Sequence, residues 1–94
     1  MSLYRITEFT APDMGKAIEF AETLRGDVAA AGAASIDIVS VGDGKALVIA
    51  KYATQAEMEA ATAINKQVFG KMIEAGVVNG DGIGMQSGEV IFSF

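Results

Sequence analysis

Cysteine, histidine and tryptophan are all absent from the 94 residues. Without cysteine there is no disulfide scaffold, no thiolate nucleophile and no iron–sulfur cluster. Without histidine, Ser–His–Asp triads, imidazole-ligated zinc and His-ligated haem are excluded together. Basic charge is scarce as well. Seven Lys and Arg stand against twelve Asp and Glu, giving a net charge of −5. An acidic protein of this kind suits neither nucleic acid nor an anionic membrane surface, because both select basic patches. No apolar run approaches the roughly 20 residues that span a bilayer. The start, Met1-Ser2-Leu3-Tyr4-Arg5, lacks a basic segment followed by an apolar one and does not read as a secretory signal. The expectation is one soluble, cytoplasmic domain over residues 1–94, with no metal and no cofactor.

Apolar residues, by contrast, are plentiful. They make up 51% of the chain, while charged residues supply 20%. A domain this small is mostly surface, so the surplus implies that some outer surface is covered by a partner. Leu3 to Phe9 reads as a strand. The only proline, Pro12, stops it, and Asp13 is a good N-cap for a helix. Met14, Ala17, Ile18, Ala21, Leu24, Val28 and Ala31 then recur at helical spacing, with Lys16, Glu19, Glu22 and Asp27 on the other side. One unbroken helix up to a stop at Gly32 is predicted. Ser35–Val41 and Ala46–Tyr52 are β-branched and apolar runs around Gly42-Asp43-Gly44, the pattern of a hairpin. Thr54-x-x-Glu57 is a capping box, and Met58, Ala61, Asn65, Val68 and Met72 continue a second helix that Gly76 closes. Val77–Gly88 carries four glycines and reads as a loop. Glu89–Phe94 (EVIFSF) reads as the final strand.

The order β-α-β-β-α-β is that of an α+β, ferredoxin-like domain. Its four-stranded antiparallel sheet has strand order 4-1-3-2 and two helices on one face. The other face would be wet in a monomer, and such a sheet should alternate apolar with polar. Ala46-Leu47-Val48-Ile49-Ala50 and Val90-Ile91-Phe92 do not alternate. Both faces are therefore expected to be covered, the second by another copy of the same sheet. In its element order, in the passage Phe9–Pro12–Gly15-Lys16, and in Tyr52-Ala53-Thr54-x-x-Glu57, the chain resembles the dimeric α/β-barrel superfamily around the antibiotic biosynthesis monooxygenase-like domains. That resemblance implies face-to-face sheets and a pocket between sheet and helices. It also implies one of several activities: cofactor-free oxygenation, haem degradation, isomerisation or ligand binding. The axial histidine of the haem-degrading members and the tryptophan common among the monooxygenases have no counterpart here.

Seven residues are candidates for a ligand site: Arg5, Thr7, Val48, Ala50, Tyr52, Asn65 and Ile91. Arg5 reads either as an anchor for a carboxylate or as one half of an ion pair with Asp37, Glu8 or Glu89. If Ile6 faces the helices, Arg5 and Thr7 face the barrel interior; otherwise Arg5 sits at a rim. Asn65 stands in an apolar helical stripe, where a buried amide needs a partner. It is either a polar contact in a pocket or a core residue tied to backbone. Tyr52 shares a strand face with Ala46, Val48 and Ala50, small residues that leave room. Met14, Met58, Met72 and Met85 are adaptable pocket lining or plain core.

Gly80-x-Gly82-x-Gly84 has neither the spacing nor the context of a dinucleotide loop. Asn79, Asp81 and Glu89 do not fit a calcium loop. Glu8, Asp37 and Glu89 are possible bases, but no spacing pairs them, so no catalytic residue is assigned. Three functions are compatible with this inventory. The first is a homodimer that dimerises through its sheet face and binds an apolar small molecule with one polar or acidic end. The second is a cofactor-independent monooxygenase-like enzyme acting on an apolar conjugated substrate. The third is a module that only dimerises.

Overall fold

A computed structural model describes residues 2–94. The elements in chain order are β1 (Leu3–Thr10), α1 (Met14–Glu22), α2 (Arg25–Ala29), β2 (Ser35–Gly42), β3 (Lys45–Tyr52), α3 (Gln55–Glu74) and β4 (Gly84–Glu89). The sheet order is β2-β3-β1-β4, antiparallel throughout. This is the predicted ferredoxin-like topology.

Cross-strand pairing assigns every side chain to a face. Leu3, Arg5, Thr7 and Phe9 stand opposite Tyr52, Ala50, Val48 and Ala46. All but Val48 are buried, so this is the helix-covered face. Tyr4, Ile6 and Glu8 stand opposite Lys51, Ile49 and Leu47 on the open face. Ile6 and Val39 there are each 40% exposed, and no described element of this chain covers them.

Both main helices start at the predicted caps. The Asp13 carboxylate accepts from the Lys16 N–H at 3.2 Å, and the Thr54 hydroxyl from the Glu57 N–H at 3.1 Å. The first helix is not continuous, contrary to the predicted run from Met14 to Ala31. Thr23 donates its hydroxyl to the Phe20 carbonyl at 2.6 Å, and its N–H reaches the same oxygen. This local bonding competes with the helical ladder. The chain turns at Thr23–Leu24, Leu24 drops into the core, and α2 restarts from Arg25.

The last strand differs as well. It is Gly84–Glu89, not Glu89–Phe94. The backbone N–H of Asn79 donates to the Thr10 carbonyl at 2.9 Å, and its side-chain amide donates to the Thr10 hydroxyl at 2.9 Å. These bonds pin the chain at the end of β1, so pairing begins at once, at Glu8 with Gly84, and reaches Leu3 with Glu89. Position relative to β1 outweighs the poor β-propensity of GMQSGE.

The buried apolar residues form two clusters. One holds Phe9, Leu24, Ala46, Met72 and Val78; the other Leu3, Ala31, Ala50, Tyr52, Met58 and Ala61. The β2–β3 turn docks on the first, with the Ala11 N–H bonded to the Gly44 carbonyl at 2.8 Å. Gly44 has φ +72°, and a Cβ there would lie 2.9 Å from the Ala11 carbonyl oxygen. Gly44→Ala is therefore expected to lower stability by about 2 kcal/mol. Gly26→Ala, in α2 with open space around it, should raise stability by about 0.5–1 kcal/mol. Urea unfolding of the two variants tests the opposite signs.

Candidate functional site

A cavity of about 620 Å³ opens between the helices and the covered face of the sheet. Its floor is Phe9, Ile36, Ile38 and Val48. One wall is Asn65, Val68, Phe69 and Met72 of α3; the other is Ile18 and Ala21 of α1 with Val28 and Ala29 of α2. Glu22 and Arg25 complete the lining. A dry void of that size would cost about 15 kcal/mol at roughly 24 cal/mol per Å³. That matches or exceeds the whole stability of a typical domain. The space is therefore an open cleft rather than a sealed void. Its size falls within the roughly 300–1,000 Å³ range of small-molecule sites.

Small residues on the helical walls make the room, and Asn65 supplies the polarity. Its Nδ2 donates to the Tyr52 hydroxyl at 3.3 Å, and Tyr52 is fully buried. No protein donor reaches Asn65 Oδ1 among the described residues, so an acceptor remains on an otherwise apolar wall. At the rim, Arg25 grips Glu22 with Nε at 2.6 Å and Nη2 at 2.8 Å. This hydrogen bond holds the Glu22 carboxyl below the usual carboxylate range and raises Arg25. The two side chains are 55% and 78% exposed, so the pair is a screened surface feature. Among the described residues, no group of three acidic residues is arranged to hold a metal ion. No helix among them is long and apolar enough to cross a membrane.

Of the seven candidate residues, Val48 and Asn65 line the cleft. Tyr52 stands behind Asn65, and Ala50 is buried beside Ile36 without reaching the cleft. Arg5 and Thr7 take neither predicted orientation. They lie on the helix-covered face, 7% and 3% exposed, while Ile6 faces the open side. Arg5 makes no ion pair with Asp37, Glu8 or Glu89. Its Nη2 donates to the Thr62 hydroxyl at 2.8 Å, and Nε and Nη1 are buried without a partner among the described residues. Ile91 does not belong to this wall. It lies beyond β4, is 87% exposed, and borders a groove on the open face. Residues lining the cleft but not expected there are Phe9, Ile36, Ile38 and the α1–α2 wall. The helical spacing of that wall is legible in the sequence, but only as a core stripe.

No protein-family model matches the chain, and no curated protein matches it in sequence. Solved structures do match. SnoaB from Streptomyces nogalater, described as a cofactor-independent oxygenase, superposes with a TM-score of 0.67 at 11% identity, over 98% of this chain and 95% of its own. A dimeric ferredoxin-like protein from Jannaschia gives 0.69 at 18% identity, over 96% and 100%. A proposed antibiotic biosynthesis monooxygenase from Nitrosomonas europaea gives 0.68 at 13%, over 97% and 91%. The fold is thus that of dimeric ferredoxin-like proteins and of antibiotic biosynthesis monooxygenase-like domains. At these identities the likeness concerns the fold alone.

Removing one partner of a buried ion pair is costly, but Arg5 has no anionic partner to strand. Arg5→Met is expected to leave stability unchanged or raise it by about 1 kcal/mol. A loss beyond about 2 kcal/mol in urea unfolding would mean that the guanidinium is satisfied in solution by an anion.

Proposed function

We propose that the protein is a homodimer, each subunit of which binds a flat apolar small molecule in the cleft between α1–α2, α3 and the sheet. The observation that carries this reading is the cleft itself: about 620 Å³ of mostly apolar wall with one unpartnered amide oxygen at Asn65. A ligand with a conjugated body and a phenol or enol hydroxyl fits both features, the hydroxyl donating to Asn65 Oδ1. An acidic end would compete with Glu22 for Arg25, the cation on the cleft lining, rather than meet Arg5. Dimerisation is supported by the uncovered apolar residues of the open face, Ile6, Val39, Leu47 and Ile49.

A second reading, cofactor-independent oxygenation of such a ligand, is favoured by the Tyr52–Asn65 couple. The second Nδ2 hydrogen of Asn65, oriented by the buried Tyr52 hydroxyl, would donate to an enolate oxygen while the electron-rich ring reacts with dioxygen. The similarly folded SnoaB, described as such an oxygenase, was solved as an asparagine-to-alanine variant.

Fluorescence titration with a hydroxylated anthracene tests the binding site. Micromolar affinity is expected for the unmodified protein. Asn65→Leu should weaken it about tenfold, the worth of one hydrogen bond, and Val48→Trp should abolish it by filling the cleft. Binding no tighter than millimolar, or unchanged by Val48→Trp, would refute the site. Oxygen uptake with the same compound separates enzyme from binding protein.

Light scattering tests the dimer. Ile49→Asp, on the open face, should yield monomers, because it places an unpaired charge in an apolar interface at a cost of several kcal/mol. A variant that still dimerises would show that the subunits meet elsewhere.

A further inference from the structure

The most exposed large apolar side chains fall within four residues of one another rather than being scattered. Ile91, Phe92 and Phe94 are 87%, 69% and 117% exposed, and they come directly after β4. The Val90 N–H donates to the Ser2 carbonyl at 2.8 Å and adds one last rung to the sheet. Beyond it the chain leaves β1. Residues 90–93, together with Tyr4, Ile6 and Gln86, bound a groove of about 800 Å³. The rings of Phe92 and Phe94 rest edge-on against each other, 4.9 Å apart, and the core of their own subunit does not bury them.

We infer that residues 90–94 form an arm exchanged between two copies of the chain. Each arm lays Ile91, Phe92 and Phe94 into the groove beside Tyr4 and Ile6 of the other copy. The inference rests on the homodimer reading above and adds what that reading leaves open, namely which segment seals the interface.

The size of the surfaces favours a second copy as the occupant. A stable interface takes roughly 800 Å² from each partner. Two phenylalanines and an isoleucine at these exposures supply roughly 400–500 Å². The arm alone falls short of that, and the half-exposed open face beside it supplies the remainder. Both occur side by side in every copy, and a twofold axis lets each arm meet the other copy's groove while its own groove is filled in return. The arm's own face does not satisfy it, since the arm already runs beside Tyr4 and Ile6 and still leaves both rings in water.

The absence of cysteine makes a direct test clean. In the double variant Ile6→Cys/Phe92→Cys, mild oxidation should produce a covalent dimer on a non-reducing gel, with the 6–92 link between chains. An intramolecular 6–92 disulfide in a protein that light scattering still finds dimeric would overturn the exchange and leave the homodimer standing. The second variant, Phe92→Ser/Phe94→Ser, should keep the circular dichroism and melting of the subunit while weakening dimerisation at least a hundredfold in sedimentation equilibrium. An unchanged dimer constant would overturn the inference. An unmodified protein that is monomeric at micromolar concentration would overturn both this inference and the homodimer reading.

Discussion

Thr10 and Ala11, at the end of β1, are held from two directions. Asn79, arriving from α3, donates to Thr10 through both its backbone and its side chain; Ala11 donates to Gly44 at the tip of the β2–β3 hairpin. β1 has β3 on one side and β4 on the other. Fixing its last residue and the one that follows it therefore sets the register of the sheet. Six of the eight residues of β1, Leu3 to Glu8, are then paired with β4 from Glu89 to Gly84, with Val90 adding a rung to Ser2. Past Val90 no further backbone bond to β1 is made among the described residues, and the apolar side chains that follow stay exposed.

The same register explains the layout of the covered face. The residues opposite each other at the two ends of β1 and β3 are Phe9 with Ala46 and Leu3 with Tyr52. Each pair anchors one of the two clusters. Phe9 and Tyr52 are the largest fully buried side chains, and alanine accounts for much of the rest. Small residues let the helices approach closely at both ends. Between the ends, at Val48 and Ile38, α1 and α2 offer only Ile18, Ala21, Val28 and Ala29 as apolar lining. Native interiors are close-packed, so a gap bounded by well-packed ends is a property of the side chains chosen there, not of loose folding. The break at Thr23–Leu24 contributes to it. Leu24 turns into the core, while Val28 and Ala29 are carried over the mouth of the cleft.

Each element is legible in the sequence to the degree that its signal is local. The hairpin, both helix caps and the element order rest on residues within a few positions of each other, and they match the structure. The final strand depended on a contact between Asn79 and Thr10, 69 residues apart, which no local propensity contains. EVIFSF looks like a strand because it is apolar and β-branched, the same qualities an exposed interface segment has. The break in the first helix rests on a single threonine hydroxyl, invisible in an apolar periodicity that continues through it. Arg5 carries the weakest local signal of all. β1 alternates weakly, and a lone arginine among apolar neighbours is ordinarily at a surface. Only the pairing of Ile6 with Ile49 on the open side shows that Arg5 turns beneath α3. Asn65 and Val48 were legible as lining because polarity within a helical stripe and small residues along a strand are local facts. The α1–α2 wall was not, since a residue that lines a cleft and one that fills a core have the same periodicity.

Two surfaces of opposite use share one strand. Val48 faces the cleft and Ile49 faces the open side, and adjacent residues of a strand point to opposite faces. A substitution at either position thus acts on one surface through its side chain and on the other only through the backbone. Events at the cleft and at the open face are separated by a single sheet, with no hinge between them. A ligand entering beside Val48 has no lever for moving Ile49 unless β3 as a whole shifts, and β3 is held on both sides by full-length ladders to β1 and β2. The sheet therefore insulates. Coupling between the two faces would have to travel around its edge, where β4, with all six residues exposed, is the strand with the fewest contacts to restrain it.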